Sequence, residues 1–132
     1  MVVDTSAVMA ILRQEPDASA YAQLIETAHV RLISAVSVLE AGILAISRKG
    51  DQGARELDSF LTAAELEVVP FDGEQAAVAR DAFRRFGRGR HAAKLNFGDC
   101  AAYALAATHA EPLLFKGNDF SATDLRVCVP NG

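Results

Sequence analysis

The sequence predicts an α/β fold: a three-layer α/β/α sandwich around a mostly parallel sheet of four to five strands, with residues 1–132 forming a single domain. Three observations carry this expectation. Short β-branched and apolar runs recur along the chain, separated by longer stretches whose apolar residues follow helical spacing. Every run but the last is followed by a helix or a polar turn, the alternation that gives parallel pairing through right-handed crossovers. At 132 residues and 51% hydrophobic, the chain can bury a core without disulfide or metal staples.

The elements follow in order. Met1-Val2-Val3 is a short strand ending in Asp4, and Thr5-Ser6 opens an apolar helix that Glu15-Pro16 closes. Asp17 is placed to cap a second helix, whose residues Ala18, Tyr21, Leu24, Ile25 and Ala28 share one face. Val30 to Ile33 is the second strand, after which a helix carrying Glu40 runs to about Gly50. Residues 51–65 form a further amphipathic helix. Leu66 to Pro70 is a third strand, and Asp72 to Gln75 caps a helix that runs into an arginine-rich stretch. Asn96, Gly98 and Asp99 then start an alanine-rich helix apolar enough to be buried. Pro112 to Phe115 is a fourth strand, and Val127 to Val129 a last one before a three-residue tail.

Composition narrows the function classes. The opening Met1-Val2-Val3-Asp4 lacks the basic start of a signal peptide, and no stretch reaches membrane-spanning length, so a cytoplasmic protein is expected. Cys100 and Cys128 lie far apart without zinc-type spacing and read as small buried hydrophobes. The net charge of −4 conceals an asymmetry: residues 80–94 hold six bases against Asp81, a local +5 that leaves −9 elsewhere. That strip, with Arg84, Arg85, Arg88, Arg90 and Lys94, suits a nucleic-acid backbone, or equally a solvated helix face running into a Gly-Arg loop.

The acids carry the chemistry. Asp4 and Asp119 follow strand ends, whereas Glu40 and Asp99 lie in the first turns of helices entered from the same edge. All four can therefore meet at the carboxyl edge of a parallel sheet, where open α/β folds bind ligands. Each has a plainer role available: Asp4 and Asp99 as helix caps, and Glu40 in a capping box with Ser37. A glutamate among Val36, Leu39, Ala41, Ile43 and Leu44 is nonetheless buried and needs a partner. Several carboxylates in one cleft repel one another unless cations bind, and an oxygen-only donor set selects Mg²⁺ or Mn²⁺.

Four segments, in this order, resemble the motifs of a PIN domain: Val2-Val3-Asp4-Thr5-Ser6-Ala7, Glu40 in its apolar helix, Asn96-Phe97-Gly98-Asp99, and Leu113 to Phe120 with Thr123-Asp124. More narrowly, the chain is similar to the VapC toxins of bacterial type II toxin–antitoxin pairs, along its whole length. The resemblance implies a Mg²⁺- or Mn²⁺-dependent endoribonuclease that cuts structured RNA such as tRNA or rRNA, inhibits translation, forms a homodimer and is silenced by a VapB antitoxin. By match to the motifs, Asp4 and Asp99 would be the metal ligands, Glu40 the third acid and Asp119 the fourth, with Asn118 a neutral helper. Thr5 or Ser6 would orient Asp4 or a water. Where many PIN domains carry a threonine and an earlier acid, this chain has Phe115 and Gly117, and Asp124 is a further candidate or a turn residue. Apolar residues on the first helices, including Ala10, Ile11, Leu12, Tyr21, Leu24 and Ile25, offer a docking face for an antitoxin helix, which could also place an arginine in the acid pocket. Two other classes fit the acids: a Mg²⁺-dependent phosphoryl-transfer domain using Asp4 and Lys116, and a silent module whose pocket receives a basic side chain.

Overall fold

In the computed structural model, which describes residues 1–130, five short strands form one parallel sheet. They are β1 (Val2–Val3), β2 (Leu32–Ser34), β3 (Glu67–Val69), β4 (Leu113–Leu114) and β5 (Val127–Cys128), in the spatial order β3-β2-β1-β4-β5. The chain winds outward from β1 in both directions, so the gap between β1 and β4 is where the strand order reverses. Ligands of open α/β sheets gather beyond the carboxyl ends at such a point.

Five helices cover the two faces: α1 (Thr5–Leu12), α2 (Ala18–Thr27), α3 (Ala35–Ala63), α4 (Gly73–Phe86) and α5 (Phe97–His109). Strand side chains alternate between two cores. Val2, Leu32 and Leu113 pack with α4, α5, Phe115 and Phe120. Val3, Ile33 and Leu114 pack with α1, α2 and α3. Helix α5 is buried from Gly98 through Ala106, as its near-absence of polar residues demands. Gly50, at φ 58° and ψ −141°, breaks α3 into the two helical segments expected on either side of it.

Several local expectations change. Asp17 precedes α2 but its side chain makes no cap; it turns to Lys116 instead. Ser34, one residue beyond the expected second strand, ends β2 and caps α3 by accepting from Val36 N–H at 3.2 Å. The Ser37–Glu40 capping box therefore does not form, because Ser37 is already inside the helix. Cys100 is buried, whereas Cys128 on edge strand β5 is only partly so. Among the described residues no helix is long and apolar enough to cross a membrane, and the expected tail after β5 extends outside those residues.

Candidate active site

Asp4 continues β1 beyond its last paired residue: its N–H donates to Leu114 O at 2.9 Å, which fixes it at the carboxyl edge beside β4. It is also the N-cap of α1, since Oδ2 accepts from Ser6 N–H at 3.0 Å and from the Ser6 hydroxyl at 2.6 Å. The same hydroxyl accepts from Lys116 N–H at 2.9 Å, so Ser6 stitches the ends of β1 and β4 together and holds its proton on Asp4. Thr5 lines the same cavity as Asp4. Its hydroxyl donates to Ser37 O at 3.3 Å and ties α1 to α3.

Asp99 sits in a reciprocal capping box: its N–H donates to Asn96 Oδ1 at 2.9 Å, and Asn96 N–H donates to Asp99 Oδ2 at 3.0 Å. Capping and lining the cleft are thus compatible, because the cap engages one carboxylate oxygen. Glu40 is half-buried rather than buried, because Leu39 and Ile43 beside it face solvent. It reaches the site from the second turn of α3, and its carboxylate rests directly over Gly98; a Cβ there would stand 2.7 Å from Glu40 Cδ. Asp119, exposed on the loop after β4, completes the ring. One cavity of about 350 Å³ is lined by Asp4, Glu40, Asp99 and Asp119, with Ser6 and Asn96 between them.

The electrostatics follow from this gathering. Asp99 is pushed up to about 7, first by burial and then by the negative charges of Asp4, Asp119 and Glu40, against the stabilising N–H of Asn96. Asp4 is pushed up to about 6, again chiefly by burial with Glu40 adding to it, although both Ser6 hydrogen bonds oppose the rise. Carboxylates so destabilised as anions are suited to a cation. The lining holds no histidine or thiolate, so the donor set fits a hard ion such as Mg²⁺ or Mn²⁺. Among the described residues, no three His, Cys, Asp or Glu side chains stand close enough to form a cage by themselves.

Other expected participants lie apart. Asn118 does not line the cavity; its backbone carbonyl accepts from Ser121 N–H at 3.3 Å. Asp124 faces away, accepting from Tyr103 Oη at 2.7 Å and from Arg85 at 2.8 Å. Arg85 is thereby engaged, Arg84 pairs with Asp81 at 2.7 Å, and Arg90 donates to Arg84 O at 3.2 Å. Among the described residues the side chains of Arg88 and Lys94 show no such partner, yet none of these five bases lines the acid cavity. Lys116 does, but its ammonium bonds Glu15, and Asp17 at 3.0 Å. Arg13, which the reading of the sequence passed over, lines the cavity as well. Its signal was available: Thr5, Met9 and Arg13 recur every four residues along α1.

A family model for the PIN domain matches residues 1–125. The chain belongs to the PIN domain family. Within it, the relatives are VapC ribonucleases: ribonuclease VapC28 of Mycobacterium tuberculosis is 51% identical over 127 residues, 96% of either chain. Among solved structures, the VapBC2 complex of Rickettsia felis, bound to a DNA fragment from its promoter, superposes with a TM-score of 0.77 at 16% identity, covering 98% of both chains. M. tuberculosis VapC20, described as a sarcin-ricin loop cleaving toxin, gives a TM-score of 0.77 at 20% identity and 98% coverage of both. At such identities the structures speak for the fold, whereas VapC28 speaks for the family. This PIN domain is a VapC-family ribonuclease, as its sequence led us to expect, and its sheet has five strands, all parallel, where four to five mostly parallel ones were expected.

Proposed function

We propose that this PIN domain is the toxin of a VapBC-type pair and a Mg²⁺- or Mn²⁺-dependent endoribonuclease that cuts structured RNA, tRNA or rRNA, and so blocks translation in the cytoplasm. The observation that carries the reading is the meeting of Asp4, Glu40, Asp99 and Asp119, from four separate segments, in one cavity at the point where the strand order reverses. Asp4 and Asp99 would hold the ion, with Glu40 and Asp119 at the periphery of the site. A bound divalent ion supplies Lewis acidity, which makes water nucleophilic at neutral pH and offsets charge on the phosphodiester. The chain's own residues arrange the rest: Ser6 fixes one oxygen of Asp4, Asn96 fixes one of Asp99, and Gly98 gives Glu40 its place.

The partners follow from the surface. A toxin–antitoxin complex from Klebsiella pneumoniae shares this fold, which supports a VapB-type antitoxin here. The face expected to receive it is largely core: Ala10, Tyr21 and Ile25 are buried, and Ile11, Leu12 and Leu24 pack against them. Exposed apolar residues lie instead on α3, where Leu39, Ile43 and Ile46 form a stripe beside the acid cavity. We assign that stripe to the antitoxin helix, from which an arginine could enter the acids. A separate apolar cavity, lined by Phe71, Phe83, Phe97 and Cys100 with Phe97 83% exposed, is assigned to a second copy of the chain. The phosphoryl-transfer alternative finds less support, since Lys116 is bound to Glu15 and Asp17.

The decisive experiment incubates purified protein with total cellular RNA, with Mn²⁺ or with chelator, and maps new 5′ ends. A discrete metal-dependent cut in a tRNA or rRNA is expected, and adding the antitoxin abolishes it. Absence of metal-dependent cleavage would overturn the reading.

Stability should report the same site. An acid whose folded pKa lies above its unfolded value binds protons more tightly when folded, so stability falls as pH rises through that interval. With Asp4 raised from 3.8 to about 6 and Asp99 to about 7, metal-free protein should lose stability between about pH 4 and 7.5. Asp4 alone corresponds to roughly 3 kcal/mol, or on the order of 10 °C in Tm. Mn²⁺ should restore most of this at pH 7.5 and little at pH 5, as thermal melts would show. A Tm that climbs with pH in chelator would contradict the assignment.

A further inference from the structure

An acidic nuclease must attract a polyanion, and the structure offers a cation for this in an unexpected place. Of the two bases lining the acid cavity, Lys116 is neutralised by Glu15 and Asp17. Arg13 forms no ion pair among the described residues, although four site carboxylates share its cavity. Arg13 is exposed, so its guanidinium is open to a ligand at the mouth of the cleft.

Its backbone is fixed. Arg13 is the C-cap of α1, and its N–H donates to Met9 O at 2.9 Å. Gln14, in the left-handed conformation at φ 53°, then turns the chain away, and Glu15 N–H closes the helix end on Ala10 O at 3.1 Å. That turn carries Glu15 to Lys116 and leaves Arg13 over the cleft. Along α1, Thr5, Met9 and Arg13 share one face, so the guanidinium's backbone lies two turns, about 12 Å, from the end that holds Asp4. From there the side chain lines the same cavity as the acids, within reach of a phosphate neighbouring the one they hold.

We propose that Arg13 binds an RNA backbone phosphate one or two nucleotides from the cleaved bond, setting the path of the strand along α1. The plainer role for a cation at this position is to complement the α1 dipole. It accounts for a basic residue there, but not for one that lines the catalytic cavity. Guanidinium suits the task because its fork grips two phosphate oxygens at once. The inference rests on the ribonuclease reading above.

The test uses full-length protein carrying Asp99→Asn to prevent cleavage, and a fluorescein-labelled single-stranded RNA of mixed sequence, in Mg²⁺ across a salt series. Arg13→Ala should weaken binding about five- to tenfold at low salt and reduce the slope of log K against log salt by about 0.7, one phosphate's worth on a single strand. Arg13→Lys should recover the slope and part of the affinity, and Arg13→Glu should bind worse than Arg13→Ala. In the active background, Arg13→Ala should raise KM with little change in kcat. Unchanged affinity and slope in Arg13→Ala would overturn the inference, as would a lower Tm alone, the mark of a helix-end role. Loss of antitoxin binding with RNA binding intact would overturn it too, and assign Arg13 to the protein partner. If the unmutated protein cuts no RNA with Mn²⁺, the ribonuclease reading itself fails, a result separate from all of these.

Discussion

Asp99→Asn should leave a folded, slightly more stable protein whose metal-dependent RNA cleavage is lower by on the order of 1,000-fold or more. Asparagine keeps an oxygen to accept from Asn96 N–H and keeps the backbone N–H that donates to Asn96 Oδ1, so the capping box of α5 survives. What disappears is the charge. In metal-free protein at pH 8 that charge is unfavourable, because Asp99 is buried and faces Asp4, Asp119 and Glu40, which hold its folded pKa near 7. Removing it should therefore raise the Tm above that of the unmutated protein in chelator, while abolishing the further rise that Mn²⁺ gives. A cap role alone predicts the opposite pair of results: no gain in Tm and full activity. Thermal melts and a cleavage assay on the same preparation separate the two.

How far the sequence led is clearest at individual residues. The parallel order follows from apolar runs such as Val2-Val3 and Leu32-Ile33, which are buried on both faces of the sheet and leave little freedom in what they become. Acids placed at the ends of such runs, or alone in an apolar helix, inherit a position from the topology. Asp4, Glu40 and Asp99 are therefore readable as sharing an edge. Local hydrogen bonding is not. Ser34 and Ser37 are both plausible caps by type, and which one starts α3 depends on where β2 leaves the sheet. Asp17 looks like a cap until β4 brings Lys116 to it. The basic strip reads as free charge, yet Arg85 is drawn to Asp124, 39 positions away, by the packing of the last loop against α4 and α5. Partner choice among exposed charges is a tertiary property, and charge patterning along the chain carries no record of it.

Gly98→Ala should separate stability from activity in the other direction. Gly98 has a right-handed backbone in the first turn of α5, so the substitution itself is favourable, worth roughly 0.5–1 kcal/mol in helix propensity. The nearest atoms to the new methyl belong to the Glu40 carboxyl group, with a Cβ placed 2.7 Å from Cδ and equally close to Oε1. Glu40 is a long side chain whose end can swing aside, so the clash is relieved by moving the acid rather than by opening the core. The expected outcome is an unchanged or slightly higher Tm and a cleavage rate lower by about 100-fold, the usual cost of displacing a reacting group by about an ångström. A double-mutant cycle identifies the route. If Gly98 acts through Glu40, then adding Gly98→Ala to Glu40→Gln should cost nothing further, because the acid it displaces is already gone. Equal losses from Gly98→Ala in both backgrounds would show that the glycine serves the backbone or the strand of RNA directly, and retained activity in the single variant would show that Glu40 has no fixed place to lose.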